Sequence, residues 1–280
     1  MERAALDDED WRLIYVSSKH QQMVNRVCGL GGWNESVVNA EDVASLCADR
    51  RPDGLVVPSG VDLSTAPQTA LMVVGRSHRI VYSTMVLEVV LGQLLECAQR
   101  FPSIASNVLE KLRDVLSTYN TRVHELVLKC KAMKVKGLTS ISTKHLALAS
   151  QSLGVVISQI PTIRASIAAH LPRKRHALLG EMDKVSRAFE DHRERIFDKF
   201  VAIVKSMLEK VCEEVPQIRW DEPLNAGAAQ VSNPPANRYM NVLAGNTERV
   251  HRVLSQILPP EQLMEVFMRI AGGWRVGGVE

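Results

Sequence analysis

Aromatic residues are scarce in this chain, 5% of 280 positions, although hydrophobic residues make up 46%. Its apolar content is therefore Leu, Val, Ile, Ala and Met, a composition that favours packed helices over a β-sandwich. Cysteine is sparse as well. Cys28, Cys47, Cys97, Cys130 and Cys212 form no CxxC pair and are odd in number. They read as reduced cytosolic thiols, not as a disulfide framework. Net charge is only +3, too little to argue for nucleic acid. There is no P-loop, no HExxH and no Cys/His set at zinc spacing, and "GLGGWN" at 29–34 lacks the third glycine of a dinucleotide fingerprint. The opening "MERAALDDEDW" has neither the basic start nor the apolar run of a signal peptide. The best membrane-span candidate, 80–98, carries Glu88, Gln93 and Glu96, and carboxylates are costly at bilayer depth. A soluble protein remains, or one that sits on membranes without crossing them.

What is present is helical periodicity. Residues 1–77 are broken by "GLGG", "RRPDG" and "VPSG" and read as a mostly irregular lead-in with at most short helices. The main helical bundle is expected over 78–214. Its first helix covers about 79–100 and stops at Phe101-Pro102, where proline blocks continuation. Ser103 is then placed to cap a second helix, whose apolar positions run from Ile104 to Cys130 at spacings of three and four. That helix ends in Lys129, Lys131, Lys134 and Lys136 before Gly137, as the negative end of a helix favours.

The stretch "ISTKHLALASQSLGVVISQIPTIRA" at 141–165 is almost uncharged. With Ser140 or Ser142 as cap, it gathers Leu146, Ala149, Leu153, Val156 or Ile157, Ile160 and Ile167 on one face, extended by Leu148 and Val155, and turns Lys144, Gln151 and Ser158 elsewhere. It reads as a nearly buried central helix, kinked at Pro161 and ended by Pro172. Its small residues, Ser150, Ser152, Gly154 and Ser158, would permit close helix approach. From 173 to 214, Met182, Val185, Phe189, His192, Ile196, Phe200, Ile203, Met207 and Val211 mark a long helix. Such a helix suits an elongated antiparallel bundle or rod better than a compact pocketed enzyme. The all-α class follows. Residues 215–238 read as a linker, 239–271 as two C-terminal helices broken by Pro259-Pro260, and 272–280 as an irregular tail.

No catalytic constellation, metal set or cofactor site is visible, so binding and assembly gain weight. His145 and His192 could serve as a ligand or a base, but a lone histidine on such a face is more simply a hydrogen-bonded core or boundary residue. "EDHRER" at 190–195 is explained by ion pairing along one helix. The strongest basic cluster is "PRKRH" at 172–176, with Arg173, Lys174 and Arg175 as candidate contacts for an anionic membrane or an acidic partner.

"TKHLALASQSLGVVISQIPTIRA" also carries a resemblance, together with "LDDEDW" at 6–11, "FPSIASNVLEKLRDVLSTYNTR" at 101–122 and "HRVLSQILPPEQLMEVFMRI" at 251–270. In that order these stretches resemble the C-terminal region of the vacuolar protein sorting-associated protein 54 family, best over 78–214. The resemblance implies a helical rod of the multisubunit tethering-complex type. It implies peripheral association with the trans-Golgi network and endosomes, and a non-catalytic role in tethering endosome-derived vesicles. The implied partners are sorting-associated proteins 51, 52 and 53 of the Golgi-associated retrograde protein complex, with SNAREs and small GTPases. The long coiled-coil N-terminal half of the family has no counterpart here, and the family continues beyond the point that matches Glu280. A fragment or a misassembled gene model is therefore expected, with an apolar patch exposed around Leu263, Val266, Phe267 and Ile270. The alternative to the tethering role is a helical module that binds anionic membrane surfaces directly.

Overall fold

The computed structural model describes residues 18–29, 71–129, 141–213, 216 and 238–276. These hold seven α-helices: α1 (Ser18–Val27), α2 (Tyr82–Arg100), α3 (Ala105–Val127), α4 (Thr143–His170), α5 (Gly180–Cys212), α6 (Arg238–Ser255) and α7 (Pro260–Val276). The expected all-α class is what is found. The chain forms two compact units, Met1–Ile196 and Phe197–Glu280, and α5 contributes to both. The lysines at 131, 134 and 136 and most of the expected linker lie outside the described residues.

In the first unit, α2 to α5 run alternately up and down. Phe101-Pro102 ends α2 as its sequence demands, and Pro102 opens a single 3-10 turn, Pro102–Ile104. Ser103 is therefore inside a turn and not in the extended conformation a cap requires, so Ile104 precedes α3 without a side-chain cap bond. Thr84 near the start of α2 meets Tyr119 near the end of α3 through a 2.8 Å hydroxyl–hydroxyl bond, which identifies the pair as antiparallel.

Helix α4 starts as expected after Ser142, whose backbone N–H donates to His145 Nδ1 at 3.1 Å. It runs unbroken through Pro161, which is exposed. By length and composition it is the one described helix that could cross a membrane, yet 78% of its most apolar window is buried inside the protein. Pro172 then delays α5. Arg173–Leu179 form a 3-10 segment, so α5 begins at Gly180 and not near 173. Met182, Val185, Phe189, His192 and Ile196 form the expected buried seam of α5.

Helix α1 lies against α2 and α4, and a two-stranded hairpin lies against α1 and α4; apart from His78, both fall within the stretch read as lead-in. The strands β1 (Leu71–Val73) and β2 (Arg76–His78) pair antiparallel, Val73 opposite Arg76. Val24, Leu71, Val73, Ile80, Met85 and Val155 form one apolar cluster beneath them. Gly92 lets α1 approach: a Cβ there would meet Met23 Cγ at 3.3 Å. The hairpin turn holds Val74 at φ 47° and Gly75 at φ 74°, the primed geometry that matches strand twist. Valine is strained in that region. Val74 is exposed, so Val74→Asn is expected to raise stability by about 1 kcal/mol in urea titrations, because asparagine tolerates left-handed backbone. A loss would show that Val74 contributes packing that outweighs its strain.

The second unit comprises the end of α5 with α6 and α7. Phe200, Val204 and Val211 of α5 are buried, while Ile203 and Met207 are half-buried. Pro260 does more than break a helix. It occupies the first position of α7, where its missing N–H costs nothing. Helix α7 continues to Val276, across residues 272–276 that had no helical pattern. The expected exposed patch is not where the sequence placed it. Val266 and Ile270 are buried, and Phe267 is half-buried edge-on to His251 with ring centroids 5.3 Å apart. Among the described residues, the large exposed apolar side chains of α7 are Met264 and Met268.

Candidate functional site

Two constellations in the first unit could carry function: a stripe of buried polar groups and a basic end of the bundle. The stripe belongs to α4. Gln151, Ser152 and Gln159 recur at helical spacing and are fully buried. Gln151 was expected to point away from the core. It accepts a 3.2 Å hydrogen bond from His78 Nδ1 at the end of β2, while Ser152 Oγ accepts from the Val81 N–H at 3.3 Å. Gly154 faces the same histidine at ordinary contact distance. The small residues of α4 thus seat the hairpin and the entry to α2 here. Gln159 Nε2 donates to Glu88 Oε2 at 2.8 Å.

These contacts fix a register. Val81–Ser152 and Glu88–Gln159 are each 71 residues apart, so α2 and α4 run parallel and in step. A second set does the same for α3 and α5. His192 donates from Nδ1 to Asn120 Oδ1 at 2.7 Å, Asn120 Nδ2 donates to the Ala188 carbonyl at 3.1 Å, and Arg195 reaches His124 at 3.4 Å. A one-residue slip would strand several of these groups in the core, which penalises alternative pairings. His192 and His145 are thus structural: one joins two helices, the other completes a helix start. In "EDHRER", His192 and Arg195 reach across to α3, and Glu190 accepts from Ser186 Oγ at 3.2 Å.

The electrostatics of the stripe follow from burial. Desolvation pushes the Glu88 carboxyl up from 4.5 to about 7, although the Gln159 amide favours its charged form. Burial and then the Glu88 charge push the neighbouring Cys28 thiol up, opposed by hydrogen bonds to Gln159 and the Val74 backbone. Burial pulls His78 down, and it pulls His192 down to about 4 with help from His124 and Arg195. Perturbed groups can mark catalysis, but Glu88 is 0% exposed. No substrate reaches its carboxylate. Among the described residues no group of three or more His, Cys, Asp or Glu side chains could hold a metal.

The basic end is different in kind. Arg173, Lys174 and Arg175 are exposed on the 3-10 segment between α4 and α5. His176 behind them bonds the Leu171 carbonyl at 3.1 Å through Nε2. Continuing the α2–α4 register puts Arg100 level with Leu171, so the Phe101–Ile104 turn stands at the same end of the bundle. Phe101 is 58% exposed and Ile104 39% exposed. Three carboxylates toward this end have cations of their own: Glu96 is held by Arg100 at 2.6 Å, Asp183 by Arg164 at 3.1 Å and Glu181 by Lys184 at 2.7 Å. Glu110, in the second turn of α3, has none among the described residues. Arg173, Lys174 and Arg175 make no ion pair with any described residue. The sequence flagged the cations. It gave no sign that Phe101 and Ile104, 70 residues earlier, stand with them.

Comparison with known proteins places this bundle. Residues 75–207, from the hairpin into α5, match the family described as Vps54-like protein. Vacuolar protein sorting-associated protein 54 of Homo sapiens is 28% identical over 246 residues, covering 87% of this chain and 24% of that protein. Its Mus musculus counterpart is 29% identical over 272 residues, 97% of this chain and 24% of that protein. The Schizosaccharomyces pombe counterpart is 25% identical over 219 residues, 78% of this chain and 22% of that protein. The chain thus spans about a quarter of the length of these relatives. No solved structure gives a significant match. With the family region lying on the four-helix bundle and relatives of one name aligning along most of the chain, this protein belongs to the vacuolar protein sorting-associated protein 54 family.

Proposed function

We propose that this chain serves, without catalysis, as a helical portion of a vesicle-tethering subunit in retrograde transport from endosomes to the trans-Golgi network. It would act on the cytosolic face of those membranes within a Golgi-associated retrograde protein complex, beside sorting-associated proteins 51, 52 and 53, with SNAREs and small GTPases as further partners. The observation that carries this reading is the coincidence of the family match, 75–207, with the bundle α2–α5. The buried polar groups of that bundle hold helices in register, and this supports a scaffold in preference to an enzyme.

The test is affinity purification of tagged residues 1–280 from cells, with imaging against Golgi and endosome markers. Enrichment of the three sorting-associated proteins together with punctate Golgi or endosomal signal is the expected result. A soluble, folded chain that captures none of them and stays diffuse would overturn the reading.

A further inference from the structure

We propose that the end of the bundle formed by Phe101, Ile104, Arg173, Lys174 and Arg175 docks onto the surface of an anionic phospholipid bilayer. Three observations converge there. The α2–α4 register brings two turns, separated by about 70 residues, to one end of the bundle. One turn exposes a phenylalanine and an isoleucine, which folding in water otherwise buries. The other exposes three cations; of the described carboxylates on the adjoining turns, Glu96, Asp183 and Glu181 are paired with Arg100, Arg164 and Lys184, which leaves Glu110 in the second turn of α3 as a single negative charge against three positive ones. The local excess of positive charge is thus free to meet an external anion.

The two components favour a bilayer over an acidic protein segment. A negatively charged leaflet attracts Lys and Arg over a broad surface without requiring a fixed geometry. Arg173, Lys174 and Arg175 are consecutive, exposed and held in no common fork, so they suit a diffuse field of headgroups. Phe101 and Ile104 add apolar surface that can enter the boundary between headgroups and acyl chains. A helix end presented in this way would set the bundle on the membrane by its tip. The bilayer then becomes the partner of the membrane-surface role proposed above, on which this assignment rests.

The experiment is sedimentation of residues 1–280 with vesicles of phosphatidylcholine containing about 30% phosphatidylserine, and with vesicles of phosphatidylcholine alone. The intact chain is expected to bind the anionic vesicles and to lose binding as salt rises to about 0.5 M. Joint replacement of Arg173, Lys174 and Arg175 by Ala is expected to weaken binding about 100-fold, at roughly 1 kcal/mol for each cation. Phe101→Ser with Ile104→Ser is expected to weaken it about 10-fold at unchanged charge. All five positions are exposed, and circular dichroism checks that each variant keeps its helix content. No binding of the intact chain to anionic vesicles would overturn the proposal, as would equal binding by the triple-Ala variant. Affinity purification of the intact chain separates this proposal from the tethering role. Retained capture of the sorting-associated proteins despite failed vesicle binding by the intact chain would remove lipid docking alone. Vesicle binding without any capture would support lipid docking and remove the tethering role.

Discussion

Leu153→Asp is expected to abolish the cooperative thermal transition of the four-helix bundle. Leu153 is 0% exposed in the middle of α4, among Ser152, Gly154, Val155 and Val156, all buried. Removing a buried leucine side chain alone costs about 2–5 kcal/mol. The introduced carboxylate adds the cost of an ion without a partner, several kcal/mol more, unless it takes up a proton. A domain is stable by about 5–15 kcal/mol in total, so the combined loss is comparable with the whole. Leu153→Met is the control: it keeps volume and apolarity and is expected to cost less than about 1.5 kcal/mol. Circular dichroism melts of the three proteins decide the matter. An unchanged melt for Leu153→Asp would mean that this face of α4 is not buried.

Leu153 also illustrates what the sequence made legible. The three-and-four spacing along 141–167 identifies the buried face of α4, and the same spacing identifies the seam of α5 through Met182, Val185 and Phe189. Prolines mark helix ends for a local steric reason, and Phe101-Pro102 and Pro172 do so here. The partners of polar residues were not legible. Gln151 meets His78 across 73 residues, and Gln159 meets Glu88 across 71. Periodicity is a local signal, and it ranks glutamine as a solvent-facing residue wherever it occurs. The hairpin escaped notice for a related reason. Its turn is Val74-Gly75, not Asn-Gly, and its strands have three residues each. Only packing against α1 and α4 gives it stability. Helix α7 outlasts its pattern in the same way, carrying Gly272 and Gly273 inside the helix. Each such glycine costs about 1 kcal/mol relative to alanine, an amount that tertiary packing can outweigh. The basic end was half legible: three consecutive cations stand out in a sequence, whereas their apolar neighbours at Phe101 and Ile104 come from another connection.

Glu88→Gln is expected to stabilise the first unit at neutral and alkaline pH and to leave it nearly unchanged in acid. Glu88 is fully buried, and burial raises its pKa from 4.5 to about 7. Between those values the unfolded chain has released the proton while the folded chain still holds it. Folding then takes up protons, so stability falls as pH rises from about 4.5 to about 7. Above 7 both states are ionised, and the folded state bears the full cost of the buried charge. At 1.36 kcal/mol for each pKa unit, that cost is about 3 kcal/mol. Glutamine matches the carboxyl group in size and can keep a hydrogen bond to Gln159, the partner of Glu88 Oε2. The buried histidines act in the opposite direction. Both His78 and His192 have lowered pKa values; for His192, lowered from 6.5 to about 4, the contribution is present at neutral pH and is lost as pH falls through that range, and His78 acts in the same direction. The wild-type profile therefore mixes two slopes of opposite sign, and the difference between wild type and Glu88→Gln isolates the carboxylate. Urea titrations at pH 5, 6, 7 and 8 are expected to show an advantage for the variant that is small at pH 5 and grows to about 3 kcal/mol at pH 8. Parallel profiles for the two proteins would show that Glu88 is ionised throughout and stabilised by partners beyond Gln159.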